Sequence, residues 1–282
     1  MKTKKLATLM ATVMLAACST AAYAGPVFSS SNYNTSNTFT DALDSTTMTV
    51  AFDGSSYWTS SGGYRYATNL AQYTAGGNLL GTYVPGLDMR SVFTDASNNV
   101  LARQFADNTI YQQTSPGNFS SLLTLNGGYL DAQSAVVKDG SNYVALAGGT
   151  VSQWDAAGNY VGAVTLNGMN GSEASYPQGR GMATAGGYWL TYDGNTGMLS
   201  AWDHSGNRVD STMLNGAGNS FDSNFSLSFA NNEVWVVDAA HQTWRGYDVG
   251  LAAAPVPEPE TYAMLLGGLS VMALLARRRK HA

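Results

Sequence analysis

Short runs of apolar residues, alternating with polar ones, recur through the middle of this chain and are separated by turn residues. The clearest turn signals are four Gly-Asn pairs, at Gly77-Asn78, Gly117-Asn118, Gly158-Asn159 and Gly206-Asn207. They recur at steps of 40, 41 and 48 residues. Each pair stands between two apolar runs, as turn residues do between antiparallel strands, so the pattern predicts one β-hairpin per repeat.

A second hairpin precedes the first in every repeat. Its paired runs are 48–52 with 57–58, 90–93 with 100–101, 133–137 with 143–144, 180–183 with 188–190, and 225–229 with 234–237. Two hairpins in about 40 residues match the strand count and period of a β-propeller blade. The fold class that we predict is therefore all-β.

The number of blades and their closure also follow from the repeats. The fifth repeat stops near Gly250 without a fourth strand, whereas segment 37–43 resembles the fourth-strand segment 161–166. We therefore predict five four-stranded blades, with the ring closed by an N-terminal strand that leaves no open sheet edge in the last blade. A sixth blade would need strands within 168–180, a stretch that has the composition of a loop.

Composition and charge agree with this fold and narrow the function. The chain of 282 residues contains 31 glycines, and only 12% of its residues are charged. Residues 25–255 hold 15 Asp and 2 Glu against one Lys and six Arg, a net charge of about −10. Such a surface repels polyanions, so nucleic acid is excluded as a partner.

The first 24 residues have the order of a bacterial export signal. Three lysines precede an apolar run, and Ala22 and Ala24 provide the small side chains that a signal peptidase requires. We expect export by the Sec machinery and cleavage after Ala24. An alternative is lipoprotein processing, because residues 15–18 resemble a lipobox in which Cys18, the single cysteine of the chain, would carry a lipid.

Residues 255–282 combine an extended strip, an apolar segment and a basic cluster that would stop transfer across the membrane, which we call the cationic stop. The residues between the two targeting segments, 25–254, are predicted to form one extracytoplasmic domain. The strip is Val256, Pro257, Glu258 and Pro259, and the stop is Arg277, Arg278, Arg279 and Lys280. Proline keeps the strip extended and accessible. The apolar segment between them predicts a transmembrane helix at 261–276, with the cationic stop in the cytoplasm.

This three-part order resembles the PEP-CTERM sorting signal, and the resemblance covers only the last 28 residues. It implies that an exosortase recognises the strip and cleaves near residues 257–259. It also implies a Gram-negative host that makes exopolysaccharide and biofilm matrix. The expected location is the inner membrane, through the C-terminal helix, and then the cell surface or extracellular matrix. An ordinary single-pass anchor is the alternative.

Aromatic residues recur at matching places in the second strands of the repeats. They are Tyr57, Trp58, Tyr143, Tyr188, Trp189 and Trp235. Packing between neighbouring blades is the interpretation that we favour for them. The alternative is that one or more stack against a carbohydrate.

Motifs for catalysis, cofactor binding or metal binding are absent from the sequence, so we expect no enzyme activity, no cofactor and no metal. The two body histidines, His204 and His241, are interpreted as exposed turn residues. The Asp-x-x-Gly-Asn turns that begin at Asp155 and Asp203 could offer oxygen atoms to Ca²⁺, but such turns use Asp for backbone hydrogen bonds in any case.

One set of polar residues recurs at the predicted start of the innermost strands, where they would surround the mouth of a central channel. The set is Arg90, Gln133, Arg180 and Asn224. Two guanidinium groups there could bind the carboxylate or sulfate groups of an acidic exopolysaccharide. The alternative is structural pairing of each arginine with a nearby carboxylate such as Asp88 or Asp95.

These observations predict an exported, non-catalytic surface or matrix protein with a structural or adhesive role. The alternative is a propeller that binds and degrades polysaccharide, because propellers also carry enzymes. An enzyme of that kind would need carboxylates in one cleft, and Glu173 and Glu233 are the only glutamates of the body.

Overall fold

A computed structural model describes residues 26–43, 46–63, 65–169, 180–220 and 222–251. The export signal with Cys18, Ala22 and Ala24 lies outside these residues. So do the strip at 256–259, the apolar segment at 261–276 and the cationic stop at 277–280. Within the described ranges, no helix has both the length and the apolar character needed to cross a membrane.

The described residues form short strands almost throughout. The first half contains β1 (Asn32–Tyr33), β2 (Asn37–Thr40), β3 (Thr47–Phe52), β4 (Ser56–Ser61), β5 (Leu70–Thr74), β6 (Leu79–Tyr83), β7 (Met89–Thr94), β8 (Val100–Gln104), β9 (Thr109–Ser115) and β10 (Asn118–Thr124). The second half contains β11 (Val136–Asp139), β12 (Asn142–Ala147), β13 (Thr150–Trp154), β14 (Tyr160–Thr165), β15 (Ala183–Ala185), β16 (Tyr188–Asp193), β17 (Met198–Trp202), β18 (Arg208–Leu214), helix α1 (Ser223–Ser226), β19 (Ser228–Ala230), β20 (Glu233–Asp238), a 3₁₀ turn (Ala239–His241) and β21 (Thr243–Tyr247).

These strands make five sheets, each with four antiparallel strands, which are the blades of a propeller. Blade I is β3–β6, blade II is β7–β10, blade III is β11–β14, blade IV is β15–β18 with β1 added at its edge, and blade V is β19–β21 with β2. The first strand of each blade faces the central axis and contacts its counterparts in the neighbouring blades. The predicted five-bladed all-β fold is confirmed.

The ring closes through β2, as the sequence predicted. This strand pairs antiparallel with β21, with Phe39 opposite Trp244 and Asn37 opposite Gly246. Blade V therefore takes three strands from the end of the domain and its fourth from the beginning. No open edge is left at β21, so blade V is as complete as its neighbours.

Five separate hydrophobic clusters hold the ring together, and each lies between two neighbouring blades. The six tryptophans are distributed over four of these clusters and are all buried. Burial of one large apolar side chain stabilises the fold by about 1.5–3 kcal/mol, so packing without disulfides is sufficient. Five of the six aromatic residues in the second strands lie in these layers, and Tyr188 packs against the layer between blades IV and V while half-buried.

Hydroxyl groups satisfy backbone groups along the inner edges of the blades. Thr49 Oγ1 donates to the Val92 carbonyl at 2.8 Å and accepts from the Val92 N–H at 2.7 Å. Ser91, Thr184 and Ser228 make similar bonds at three other blade junctions. An unpaired buried backbone group costs about 1–3 kcal/mol, so these bonds fix the inner strands against one another. The channel between them encloses about 190 Å³.

In blades I to IV, the turn between the third and fourth strands packs on the outermost strand of the preceding blade. In blade IV the turn glycine, Gly206, has φ of +82° and lies against the Thr165 carbonyl of blade III. A residue with a side chain would meet that carbonyl as well as adopting an unfavourable φ. Glycine at this position therefore has two roles: it adopts the φ that the turn requires, and it lets two blades approach closely.

The N-terminal residues bring the beginning and the end of the domain together. The sequence did not predict β1, which runs parallel to β18 at the edge of blade IV. Tyr33 Oη of β1 donates to the Val249 carbonyl at 3.3 Å. Phe28 and Leu251 are both buried in the layer between blades IV and V. The described domain thus begins and ends at the same junction, between blades IV and V.

The sequence placed the innermost strands too early at three positions. Gln133 and Arg180 precede β11 and β15 by three residues each. Asn224 lies in helix α1, where the sequence predicted a strand from residue 225. The helix forms because the Asp222 carbonyl accepts the N–H groups of Phe225 and Ser226, at 2.9 and 3.0 Å.

Gly206→Ala tests the contact between blades, with Gly187→Ala as a matched control. Both glycines have φ of +82°, but only an alanine at 206 would overlap a neighbouring carbonyl, since Gly187 faces open space. We expect Gly187→Ala to lower the free energy of unfolding by about 1–2 kcal/mol. Gly206→Ala should lower it by about 1–3 kcal/mol more. Urea unfolding followed by tryptophan fluorescence measures both; equal losses would contradict the packing role.

Candidate functional site

The candidate site is the mouth of the central channel at which the innermost strands begin. Residues from all five blades meet there through short contacts. Asp88 accepts from Gly63 N–H at 2.8 Å, Arg90 Nε donates to Gln133 Oε1 at 2.7 Å, and Asp222 accepts from Thr47 N–H at 3.3 Å. Backbone bonds from Ala135 to Arg180 and from Gly181 to Asn224 join the remaining blades.

The four residues singled out in the sequence therefore follow one another around this mouth. Arg90 and Gln133 are in direct side-chain contact. Arg180 and Asn224 are joined to their neighbours through the backbone, and Asn224 Oδ1 accepts from Gly194 N–H at 3.2 Å. The structure thus brings two of the four side chains together. Binding of an acidic polysaccharide by this set stays a prediction.

Arg90 is held by several partners and is nearly closed off from solvent, with 6% of its side chain exposed. Its guanidinium forms an ion pair with Asp88, donates to the Met89 carbonyl at 2.9 Å, and lies 4.7 Å from the centre of the Phe105 ring. Burial lowers the pKa of Arg90, although Asp88 acts in the opposite direction. The structural pairing that the sequence left open is thus present, and the partner is Asp88.

Arg103 is a second arginine beneath this mouth, and the sequence analysis did not identify it. It is fully buried, and it donates to the carbonyls of Asp107, Ala132 and Ser134 at 2.8–2.9 Å. Burial, together with the charge of Arg90, lowers its pKa to about 10. By binding both sides of Gln133, Arg103 fixes the loop that leads into β11. The signal for this buried arginine in the sequence was its position among the apolar residues of a predicted strand.

Three exposed aromatic residues lie in connections on the side of the propeller where the innermost strands begin, and we call them the aromatic rim. Tyr66, Phe105 and Tyr129 are 67%, 40% and 62% exposed. Phe105 N–H donates to the Asp88 carbonyl at 2.7 Å, and the next residue contacts the loop that carries Tyr129, which places these loops side by side. The aromatic residues expected from the sequence to bind or pack all lie in strands. Aromatic residues in the connections that lead to this mouth were the available signal for the rim.

The rim is held in place by polar contacts. Arg65 lies 5.1 Å from the centre of the Tyr66 ring, and Tyr129 Oη donates to Asp131 at 3.0 Å. Asp131 also accepts from Gln133 N–H at 2.8 Å. Because Gln133 Oε1 receives Arg90 Nε, its amide nitrogen is directed elsewhere, and it bonds to no other residue that the structure describes. Arg90 thus contacts both the Gln133 amide and the Phe105 ring of the rim.

The other half of the mouth, between blades V and I, contains two carboxylates with raised pKa. Asp41 and Asp222 both bind Thr47, through its hydroxyl at 2.6 Å and its N–H at 3.3 Å. Burial raises the pKa of each, and their mutual repulsion adds to the pKa of Asp41. Two carboxylates close together, with pKa values that differ from normal, are the groups that acid–base chemistry needs.

The remaining polar candidates are engaged in local structure. His204 lies 3.1 Å from Asp139, and His241 Nδ1 lies 2.7 Å from Asp238, both at exposed positions. Asp155 binds the N–H groups of its own turn, and the hydrogen bonds from Asn159 lower its pKa. Across the ranges that the structure covers, no three acidic, histidine or cysteine side chains are placed to hold a metal.

Comparison with known proteins identifies the C-terminus and the fold. Residues 255–280 match the PEP-CTERM protein-sorting motif, so this chain carries a signal for export and for sorting by an exosortase. No curated protein has a significant sequence match to the chain.

Several solved structures are similar in fold. Glutaminyl cyclase from Myxococcus xanthus aligns with a TM-score of 0.55 at 10% identity, covering 79% of this chain and 97% of that one. A Bacteroides thetaiotaomicron protein of unknown function gives 0.47 at 12% identity, covering 77% and 74%. Virginiamycin B lyase from Staphylococcus aureus gives 0.39 at 13% identity, covering 71% and 66%. At such identities, the likeness is one of fold alone.

Asp107→Asn tests the electrostatics beneath the mouth. Burial opposes ionisation of Asp107, but hydrogen bonds from Tyr111, Gln104 and Thr109 outweigh it and lower the pKa to about 2. A lowered carboxylate pKa stabilises the fold above the unfolded value, about 3.9, and this contribution is lost as pH falls towards 2.

The stability that Asp107→Asn removes should accordingly be greatest at neutral pH and should shrink between pH 4 and pH 2. Urea unfolding at pH 7, 4 and 2.5 measures it. Tyr111→Phe is the companion variant, since it removes one hydrogen bond to the carboxylate and should move the loss of stability to higher pH. A difference between wild type and Asp107→Asn that does not change with pH would contradict this account.

Proposed function

Because the chain carries a PEP-CTERM sorting motif, we propose that it is a non-catalytic propeller of the cell surface or biofilm matrix, with an adhesive role. In this proposal the Sec machinery exports the chain. The segment at 261–276 then holds it in the inner membrane until an exosortase cleaves near 257–259. The exported domain binds exopolysaccharide at the mouth of its channel.

The observation that carries the adhesive role is the aromatic rim. Sugar rings present C–H faces that pack on aromatic rings, and hydroxyl groups that need hydrogen-bond partners. Tyr66, Phe105 and Tyr129 offer exposed aromatic faces, and Gln133, which Arg90 holds next to Phe105, offers a polar side chain. Each rim residue is oriented by a neighbouring side chain or backbone group, so little freedom is lost when a ligand binds.

A polysaccharide-degrading enzyme is the second candidate, and Asp41 and Asp222 favour it. Glycoside hydrolysis uses two carboxyl groups, one of them with raised pKa. The favoured reading of this pair is structural, because both carboxylates bind Thr47 and Asp41 is buried. Release of reducing ends from a bound polysaccharide, lost in Asp222→Asn, would decide for the enzyme.

The sorting route predicts the covalent ends of the native protein. Intact mass spectrometry of protein purified from its host should show an N-terminus at Gly25 and a C-terminus near residues 257–259. In a strain without exosortase, the C-terminal segment should be retained. A product that keeps residues 262–280 despite active exosortase would rule out sorting, and a lipid on Cys18 would replace cleavage after Ala24.

Binding through the aromatic rim predicts the effect of removing its rings. Tyr66→Ala and Tyr129→Ala should each weaken binding of the secreted protein to host exopolysaccharide by about three- to tenfold, since stacking on one aromatic ring contributes on the order of 0.5–1.5 kcal/mol. Affinity electrophoresis in gels that contain the polysaccharide measures the loss. Unchanged binding by both variants would contradict the proposal.

Val209→Ala is the control. Val209 is also an exposed apolar residue, 44% accessible, but it lies on the outer strand β18 of blade IV, whereas the rim residues lie in connections that follow strands of blades I and II. This variant should bind polysaccharide as wild type does. Thermal unfolding of all three variants separates loss of binding from loss of fold, because exposed side chains contribute little to stability.

A further inference from the structure

We infer that the N-terminal arm, residues 26–34, is a detachable strap that closes the propeller between blades IV and V, and that the ring opens at this junction when the arm detaches. Every blade keeps its four antiparallel strands in the opened form, and only the contact between two blades is lost. The inference concerns how the ring is held together, so it does not depend on the proposed adhesive function.

The first reason lies in the turns at the circumference of the ring. At four junctions, a turn between third and fourth strands packs on the outermost strand of the preceding blade. The glycines at these contacts are Gly77, Gly117, Gly158 and Gly206. Blade V has no such turn, because its third and fourth strands, β21 and β2, come from opposite ends of the domain. The N-terminal arm lies on the outermost strand of blade IV instead.

The inner edge of this junction has no hydroxyl bond among the residues that the structure describes. Thr184 of β15 donates to the Lys138 carbonyl of blade III at 2.6 Å. Ser228 of β19 accepts from the Val50 N–H of blade I at 3.0 Å. Both hydroxyls thus bond away from the junction, and alanines occupy the other positions of β15. The other four junctions each have a hydroxyl bond between their inner strands.

The polar contacts that join blades IV and V at the mouth lie close to the connection that links these blades along the chain. Gly181 N–H donates to the Asn224 carbonyl at 3.1 Å, and Gly194 N–H donates to Asn224 Oδ1 at 3.2 Å. Asn224 belongs to helix α1, which is part of that connection. These contacts can therefore serve as the hinge on which the junction opens.

The hydrophobic layer between blades IV and V is the one of the five without a tryptophan. Part of this layer comes from the two ends of the domain, since Phe28, Val249 and Leu251 are buried in it. Burial of apolar side chains is what holds packed blades together. The chain ends therefore supply apolar contacts that tryptophans supply at the other four junctions.

The N-terminal arm bridges the two blades through few backbone bonds. On blade IV, Met213 N–H donates to the Ser31 carbonyl at 3.1 Å. On the side of blade V, Tyr33 Oη donates to the Val249 carbonyl at 3.3 Å. β1 pairs with β18 over two residues only, at the edge of the sheet. Segments held by few bonds open at a lower free energy than the core of a fold, so the arm can leave while every blade stays intact.

Cysteine reactivity under native conditions measures the opening of one junction at a time. Residues 25–255 contain no cysteine. Ala201→Cys places a thiol on β17 in the layer between blades IV and V, and Ala71→Cys places one on β5 in the layer between blades V and I. Both alanines are fully buried. We expect the thiol of Ala201→Cys in the secreted protein to react with Ellman's reagent about tenfold faster or more than that of Ala71→Cys.

Phe28→Ala tests the strap, because it removes the buried side chain of the arm. It should accelerate the reaction of Ala201→Cys about tenfold or more, while that of Ala71→Cys changes less than about twofold. Phe93→Ala is the matched control, since Phe93 is 5% exposed against 4% for Phe28 and packs between blades II and III. It should not accelerate Ala201→Cys more than Ala71→Cys.

The outcomes decide between a strap and a ring that opens only as a whole. A chain that begins at Thr35 lacks the arm and should react as Phe28→Ala does, and circular dichroism shows whether it is folded. Equal rates for the two thiols, with equal acceleration by Phe28→Ala, would mean that the ring opens only by global unfolding and would overturn the inference. Fast reaction of Ala201→Cys that Phe28→Ala leaves unchanged would overturn the role of the arm.

Discussion

The antiparallel pairing of β2 with β21 is the interaction on which the rest of the molecule depends. Phe39 of β2 lies 5.1 Å from Trp235 of blade V and 4.6 Å from Tyr73 of blade I, measured between ring centres. One residue near the N-terminus therefore completes a sheet and also packs it against its neighbour. Without this pairing blade V would have an open edge, and the ring that forms the mouth would not close.

Closure matters for the mouth because its groups come from different blades. Arg90, Gln133 and Asp88 meet across junctions between blades, and their geometry depends on inner strands that are tied by Ser and Thr hydroxyls. A narrow channel and fixed loops orient the aromatic rim in advance. The closed ring thus holds the surface around the mouth in a fixed shape. Such a surface suits recognition of an extended polymer more than enclosure of a small molecule.

Features that recur in every repeat, such as blade number and ring closure, could be predicted from the sequence. Features that depend on contacts between distant segments could not. Gly-Asn turns recur with the blade, so blade number and closure were predictable from local chemistry. Arg90 and Gln133 were grouped correctly as neighbours at one mouth, although Arg90 lies within β7 and Gln133 three residues before β11. Helix α1 and the burial of Arg103 depend on contacts with other segments. The rim residues lie in loops of unrelated sequence, and only the folded ring brings those loops together.

The shared exit of the two chain ends bears on how the protein is released. Phe28 and Leu251 are packed in one layer, and Tyr33 is bonded to the Val249 carbonyl. The described domain therefore begins and ends at one place on its circumference. If the chain is cleaved near residues 257–259 as proposed, a limit of about 3.6 Å per residue gives the remaining tail a reach of roughly 20 Å beyond Leu251. A partner that binds such a tail would lie close to the junction between blades IV and V.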